Sequence, residues 1–264
     1  MGDWAVSYLQ FASLPQSTTV LITGANRGIG KSIAAIYLQR PSHTVIAAVR
    51  DITSPSSVEL SNLPKAADSK LSFVKIDSAS DTDADDAAYT VQQEITHLDI
   101  LIANAGICVY NEPAHTANLK SFRDQLEINL LGPIKLFKAF YNLLKAAKEP
   151  KFIGITSLIG STGMIHYTGP YNLASYGTSK AALNHFVRRV HYENDWLIAT
   201  AVHPGTVDTA MGSAAAEVYG DAAKGEYTSE QSAKRVVKLT DEATRKNVGE
   251  IDGFLGPEGS KIPF

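Results

Sequence analysis

The chain has 264 residues, a formal net charge of −3 and a pI near 6.2. Hydrophobic residues make up 44% and charged residues 19%, which supports a sizeable core and argues against wholesale disorder. No basic excess marks it as a nucleic-acid binder, and Cys108 is the only cysteine, which excludes an intrachain disulfide and fits a reducing compartment.

Residues 1–11 (MGDWAVSYLQF) carry Asp3 and no basic cluster, unlike a signal peptide, and Val6 stands where a myristoylation motif needs Ser or Thr. The C-terminal GSKIPF is not a peroxisomal SKL, and no run of eighteen apolar residues occurs. No membrane partner is expected, and the cytoplasm is expected by elimination.

The first strand is predicted at 18–23 (TTVLIT), followed by a helix over 28–40 with Ile29, Ile33, Ile36 and Tyr37 on one face. A strand over 43–49, a weaker helix over 56–66, a strand over 70–76 and a helix over 81–95 come next. Then follow a strand at 98–103, a long helix within 117–147, and a strand at 151–156. The last part reads as a helix over 175–195, a strand at 196–202, a helix over 229–245 capped by Thr228 with Gln231, and a strand at 250–255. Alternation of apolar strands with helices predicts a parallel sheet of seven strands covered on both faces. With no linker and no repeat, one doubly wound α/β domain over 1–264 is the expectation.

Residues 20–30 read VLITGANRGIG, with Gly24, Gly28 and Gly30 between the first strand and the first helix. Glycines there allow a tight turn and close approach of a pyrophosphate to the helix N-terminus. The spacing departs from the common G-x-G-x-x-G fingerprint. At the end of the second strand stand Arg50 and Asp51. An acidic residue in this place binds ribose hydroxyls, whereas an arginine accommodates the 2′-phosphate of NADP. Arg50, with Arg27 in the turn, points to NADP(H). The other reading makes Asp51 the ribose ligand and Arg50 a solvated strand end.

TGANRGIG (23–30), Asp77, Asn104-Ala105-Gly106, Asn129 in INLLGP, Ser157 in ITS, Tyr176-x-x-x-Lys180 and HPGTVDT (203–209) occur in that order. The whole chain thereby resembles the short-chain dehydrogenase/reductase family. Segments 191–212 and 241–254 and the GSKIPF end resemble the fungal norsolorinic acid ketoreductase-like carbonyl reductases within it. The resemblance implies a Rossmann-type fold and an NADP(H) site built from Thr23, Gly24, Asn26, Arg27, Gly28, Ile29, Gly30 and Arg50. Asp77 and Ser78 would serve the adenine, and Asn104, Ala105 and Gly106 its ribose side. Pro204, Gly205, Val207 and Thr209 would hold the nicotinamide carboxamide, and Tyr176 and Lys180 would touch the cofactor as well. It also implies a homodimer or homotetramer built on the helices over 117–147 and 175–195.

The catalytic expectation centres on Tyr176 and Lys180, which share one face of a helix. A neighbouring ammonium lowers a phenol pKa from its usual ~10, so Tyr176 is expected to transfer a proton near neutral pH. Ser157 would donate a hydrogen bond to a substrate carbonyl oxygen. By resemblance, Lys180 binds ribose hydroxyls and Asn129 holds a water that resupplies protons. Tyr141 and Lys145 repeat the Y-x-x-x-K spacing without a serine-bearing strand end before them, and Ser161 competes less well with Ser157 for the family register.

The Ser157-to-Tyr176 gap of 19 residues is long for the family and reads as a loop. Its Met164, Ile165, His166, Tyr167 and Tyr171 either line a pocket for a flat aromatic ketone or anchor the loop. Residues 209–228 are rich in Ala and Gly and read as a mobile stretch, and the resemblance to the family implies that they form a lid over the substrate. Asp81, Asp83, Asp85 and Asp86 lack the glycine and glutamate of a calcium loop and read as acids at a helix N-terminus; no metal is expected. The reading is a reductase of ketones or aldehydes, with an NAD-dependent alcohol dehydrogenase or a non-catalytic redox sensor as rivals.

Overall fold

The computed structural model describes residues 17–251 and 253–264; the reading of residues 1–11 lies outside them. The first half of the chain alternates β1 (Thr18–Thr23), α1 (Gly28–Leu38), β2 (His43–Val49), α2 (Pro55–Ser61), β3 (Lys70–Lys75), α3 (Asp83–Val91) and β4 (Ile100–Ala103). Then come α4 (Leu119–Leu126), a π-helical turn (Glu127–Leu131), α5 (Gly132–Lys145), β5 (Lys151–Ile155), α6 (Ile165–Thr168) and α7 (Ala174–Glu193). The rest comprises β6 (Ile198–Val202), β7 (Val207–Asp208), α8 (Ala210–Tyr219), β8 (Tyr227–Thr228), α9 (Ser229–Glu242), α10 (Arg245–Gly249), β9 (Phe254–Leu255) and β10 (Lys261–Ile262).

The main sheet has the order β10-β9-β6-β5-β4-β1-β2-β3. The expected parallel α/β sheet is present, with an eighth strand added: β10 pairs antiparallel with β9 at the edge. Two-residue strands carry too little pattern to be read from sequence. The single helix expected over 117–147 is α4 and α5 joined by the π turn, whose extra residue shifts the helical register at Asn129. Thr228 and Gln231 form the expected capping box on α9.

Strand order reverses between β1 and β4, where connections depart to opposite faces and leave a crevice at the carboxyl ends of the strands. Two apolar layers cover the faces. One packs α1 and α9 through Ile33, Tyr37, Val236 and Val237, and the other packs α5 and α7 through Leu136, Phe140, Leu183 and Val187. Among the described residues, no helix is long and apolar enough to cross a membrane.

Phe152 is fully buried in β5, with its ring 5.4 Å from that of Phe137 and 6.4 Å from that of Phe186. Phe152→Ala leaves a cavity that rigid neighbours fill only in part. It is expected to destabilise the fold by about 3–5 kcal/mol, read as a lower urea midpoint at unchanged m-value.

Candidate active site

Parallel pairing sets the strand ends level. Ile22 lies opposite Ile102, Ala103 opposite Gly154, and Ile155 opposite Val202. The glycine turn, the Asn104 loop, Ser157 and the His203-Pro204-Gly205 loop therefore leave the sheet along one edge.

At β1, Gly24 and Gly28 take positive φ values of 64° and 52°. A Cβ on Gly30 would collide with the Gly24 carbonyl and come within 2.6 Å of Asn104 Nδ2, so the turn folds back on its own helix with no room for a side chain. Thr23 Oγ1 accepts hydrogen bonds from the backbone N–H groups of Asn104 and Ala105, each at 3.0 Å. Asn104 Nδ2 donates to Thr23 O at 2.8 Å. This clasps the Asn104–Gly106 loop to the glycine turn. The α1 N-terminus has no side-chain cap and no acidic residue in its first turn, so its N–H groups and partial positive charge face outward. Ile29 faces the cavity described below, and Asn26 Nδ2 donates to Ser56 Oγ at 2.8 Å.

Arg27 and Arg50 are exposed at this end, and among the described residues neither forms an ion pair. Asp51 Oδ1 instead accepts from Thr53 N at 2.8 Å and from Thr53 Oγ1 at 2.6 Å. Those bonds hold its carboxyl below the usual range. After β3, Asp77 Oδ1 accepts from Ala79 N at 3.0 Å, and Ser78 packs against Gly132 at the start of α5. Asp83 is buried; it accepts from Asp77 N at 2.9 Å and pairs with Lys75, while Asp81 pairs with Lys135. Among the described residues, no cluster of three His, Cys, Asp or Glu side chains could hold a metal.

Ser157 caps a short 3₁₀ turn (Leu158–Gly160), its Oγ accepting from Ile159 N at 3.2 Å. A Cβ on Gly160 would stand 2.8 Å from the Lys180 backbone, so glycine lets this turn lie directly on α7 beside Tyr176 and Lys180. Lys180 is 4% exposed. Its Nζ donates to Ile155 O at 2.9 Å and sits 5.8 Å from the centroid of the Tyr176 ring. Burial lowers the ammonium to about 8. The Tyr176 phenol differs from the sequence expectation: burial, with the nearby Cys108 thiol, pushes it up, and the hydrogen bond with Ser157 pulls it only partly back.

Asn129 is fully buried in the π turn. Its Oδ1 accepts from Ile107 N at 2.9 Å, and its Nδ2 donates to Ile107 O at 2.9 Å and Ser179 Oγ at 3.0 Å. Asn129 Oδ1 and Lys180 Nζ both face the same point beside Gly106, at 3.1 and 3.5 Å from where its Cβ would be.

A cavity of about 360 Å³ opens above Ser157 and Tyr176. Pro204, Gly205, Val207 and Thr209 line one side, with Met211, Ala215 and Tyr219 of the 209–228 segment above them. Of the five candidates in the 158–175 segment, Tyr167 and Tyr171 reach the cavity. Met164 packs on the core instead, and Ile165 and His166 face solvent. Cys108, Tyr110 and His203 line the cavity without having been singled out from sequence. Their only signal was proximity to the Asn104–Gly106 and His203-Pro204-Gly205 turns.

The competing residues lie elsewhere. Ser161 Oγ donates to Pro263 O at 2.5 Å. Tyr141 Oη donates to Asn194 Oδ1 at 3.2 Å and its ring meets Trp196.

A profile described as short chain dehydrogenase matches residues 18–219. The chain belongs to the short-chain dehydrogenase family. Among its relatives in the family is the short-chain dehydrogenase srdF of Neurospora crassa, 37% identical over 96% of this chain and 100% of the other. The norsolorinic acid ketoreductase stcE of Emericella nidulans is 36% identical over the full length of both. Among solved structures, the NADPH-bound carbonyl reductase from chicken fatty liver superposes with a TM-score of 0.80 at 28% identity, covering 94% of this chain and 100% of that one.

Burial also governs two histidines. His203 at the cavity and His191, 1% exposed beneath α10, are both held down to about 4; for His191 the charges of Arg245 and Arg188 add to burial. Both are neutral in the fold and take up protons on unfolding. The unfolded chain thus binds more protons between about 4 and 6.5, and stability falls as pH drops through that window. Urea unfolding at pH ~7 and pH ~4.5 should show this loss, and His203→Gln should make the slope shallower. Equal slopes would show that His203 does not contribute.

Proposed function

We propose that this chain is an NADPH-dependent ketoreductase that reduces the carbonyl group of an uncharged aromatic ketone, of the kind found in polyketide metabolism, with Tyr176 as proton donor. The observation that carries the reading is the cavity. Ser157 and Tyr176 lie at its floor, and among the described residues no Asp, Glu, Lys or Arg lines it. A carboxylate or phosphate on the substrate would find no counter-charge, whereas a neutral ring meets Leu158, Ile159, Leu173 and several tyrosines. The names of the relatives, two of them ketoreductase and carbonyl reductase, agree with this reading.

The residues present fit a dinucleotide. The uncapped α1 N-terminus and the glycine turn would take the pyrophosphate. Arg27 and Arg50 would take a 2′-phosphate, and Asp51 is turned to Thr53. Asp77 and Ser78 would flank the adenine, and the Asn104–Gly106 loop its ribose. Pro204, Gly205, Val207 and Thr209 would hold the carboxamide. Bound there, the reduced cofactor supplies the hydride.

Ser157 then hydrogen-bonds the substrate carbonyl oxygen as negative charge develops on it. Tyr176 gives that oxygen its phenolic proton, yielding the alcohol and a tyrosinate. Burial keeps the phenol protonated beforehand, which suits reduction over oxidation. Lys180 has one N–H on Ile155 and, among the described residues, no other protein acceptor, which leaves two donors for ribose hydroxyls. Asn129 has both amide hydrogens committed, so a water relaying protons toward Lys180 would donate to its Oδ1.

NADPH oxidation with acetophenone and acetonaphthone tests the reaction. Tyr176→Phe is expected to lose about 10³-fold in kcat while NADPH still binds, as followed by its fluorescence; full turnover in that variant would exclude the mechanism. Arg50→Asp is expected to raise the KM for NADPH about tenfold or more, with little change for NADH. A wild-type preference for NADH would refute the cofactor assignment.

A further inference from the structure

The roof of the cavity is tied down by phenol groups. Tyr219, the last residue of α8, accepts a hydrogen bond from Asn111 N at 2.9 Å and donates to Asn172 O at 3.2 Å. Tyr171 Oη donates to Ala222 O at 3.0 Å, and Tyr110 Oη donates to Met211 O at 2.5 Å. The Tyr219 ring meets the edge or face of both others, with centroids 6.3 Å from Tyr110 and 5.2 Å from Tyr171. These four bonds join the 209–228 segment to two loops on the body, and a tyrosine hydroxyl forms each of them.

Those two loops are hydrogen-bonded to each other. Glu112 N donates to Asn172 O at 2.7 Å, and Asn172 Nδ2 donates to Asn111 Oδ1 at 3.2 Å. Beneath them Ser175 Oγ donates to Glu112 Oε2 at 2.6 Å, and the fully buried Gln125 donates to Ser175 Oγ at 2.5 Å. Asn111 holds a left-handed φ of 56°, a conformation asparagine tolerates better than most residues. By contrast, α8 has no buried residue. With little apolar burial of its own, its position depends heavily on these bonds.

We propose that Tyr110, Tyr171 and Tyr219 form a latch that holds the lid shut over the cavity and so sets how firmly a substrate ring is retained there. They are positioning residues: the same rings that wall the cavity fix its roof. Opening of the Tyr219 bonds widens the entrance for a bulky planar ligand and eases its release by the same motion. The proposal rests on the cavity being the substrate site, but its first readout needs no turnover.

Lys224 is exposed and is the only Lys or Arg between Thr209 and Thr228. The backbone beside it is held closed, with Gly225 packed on Asp208 and Glu226 N bonded to Thr206 O at 2.8 Å. Tryptic cleavage of the full chain after Lys224 therefore reports lid opening. Tyr219→Phe keeps the ring and removes two of the four bonds; it should speed this cleavage about tenfold, and Tyr171→Phe, losing one, about threefold. Tyr141→Phe, which loses a phenol bond away from the cavity, should cleave as the wild type does. In steady state with NADPH and acetonaphthone, Tyr219→Phe should raise KM by a larger factor than it changes kcat. Wild-type cleavage rates in both latch variants would overturn the latch, whether or not the enzyme reduces ketones. Faster cleavage with an unaltered KM would overturn its hold on substrate.

Discussion

The level carboxyl edge of the parallel strands is the constraint on which the rest of this structure depends. Parallel hydrogen bonding fixes the strand ends Thr23, Ala103, Ile155 and Val202 within about one residue of a common height. Each following segment then begins its loop from a common line. A one-residue slip of β5 would turn Ser157 to the other face of the sheet and separate it from Tyr176. The loops add little positional information of their own. Thr23 clasps the Asn104–Gly106 loop, and Gly160 brings the turn after Ser157 onto α7. Both act over a few ångströms, and both require that the strands have already delivered the partners.

Burial is the second determinant, and it acts on the two catalytic candidates in the same sense: each is pushed toward its uncharged form. The Tyr176 phenol is raised and the Lys180 ammonium lowered to about 8. The helix spacing alone suggested that the ammonium would make the phenol acidic. In the protein, desolvation is the largest influence on the phenol and raises it, with the Lys180 Nζ standing 5.8 Å from the centre of its ring. The outcome suits a proton donor better than a base. Asn129 contributes by geometry. One amide ties the π turn to the Ile107 backbone and, through Ser179, to α7, so the loop behind the cavity is bonded to the helix bearing Tyr176 and Lys180.

Much of this was legible in the sequence for identifiable reasons. Buried parallel strands are nearly uniform in their apolar character, so β1, β2, β4, β5 and β6 stand out as short runs between helical patterns. The glycine turn and the Tyr176–Lys180 spacing could be read because their geometry is local. What could not be read depends on distance along the chain. Met164 and Tyr167 are close in sequence and similar in hydrophobicity, yet one packs on the core and the other reaches the cavity. The difference is made by the Ser161–Met164 segment meeting Pro263 and Phe264 about a hundred residues later. Tyr219 and Tyr110 lie far apart in sequence and gain meaning only once α8 folds over the loop after β4. The edge strand β10 escaped because a two-residue strand shows no periodicity.

Floor and roof of the cavity are therefore built on different principles. The floor rests on sheet register, on glycines with no room for a side chain, and on buried amide bonds, each of which a substitution would break at high cost. The roof rests on phenol hydroxyls bonded to backbone carbonyl and amide groups near the surface, where losing one bond weakens closure without unfolding the sheet. Changes at Tyr110, Tyr171 or Tyr219 can alter which ring fits and how long it stays, while Ser157, Tyr176 and Lys180 keep their geometry. Such a division lets the floor be kept while the roof above it changes, provided the strand edge beneath is left intact.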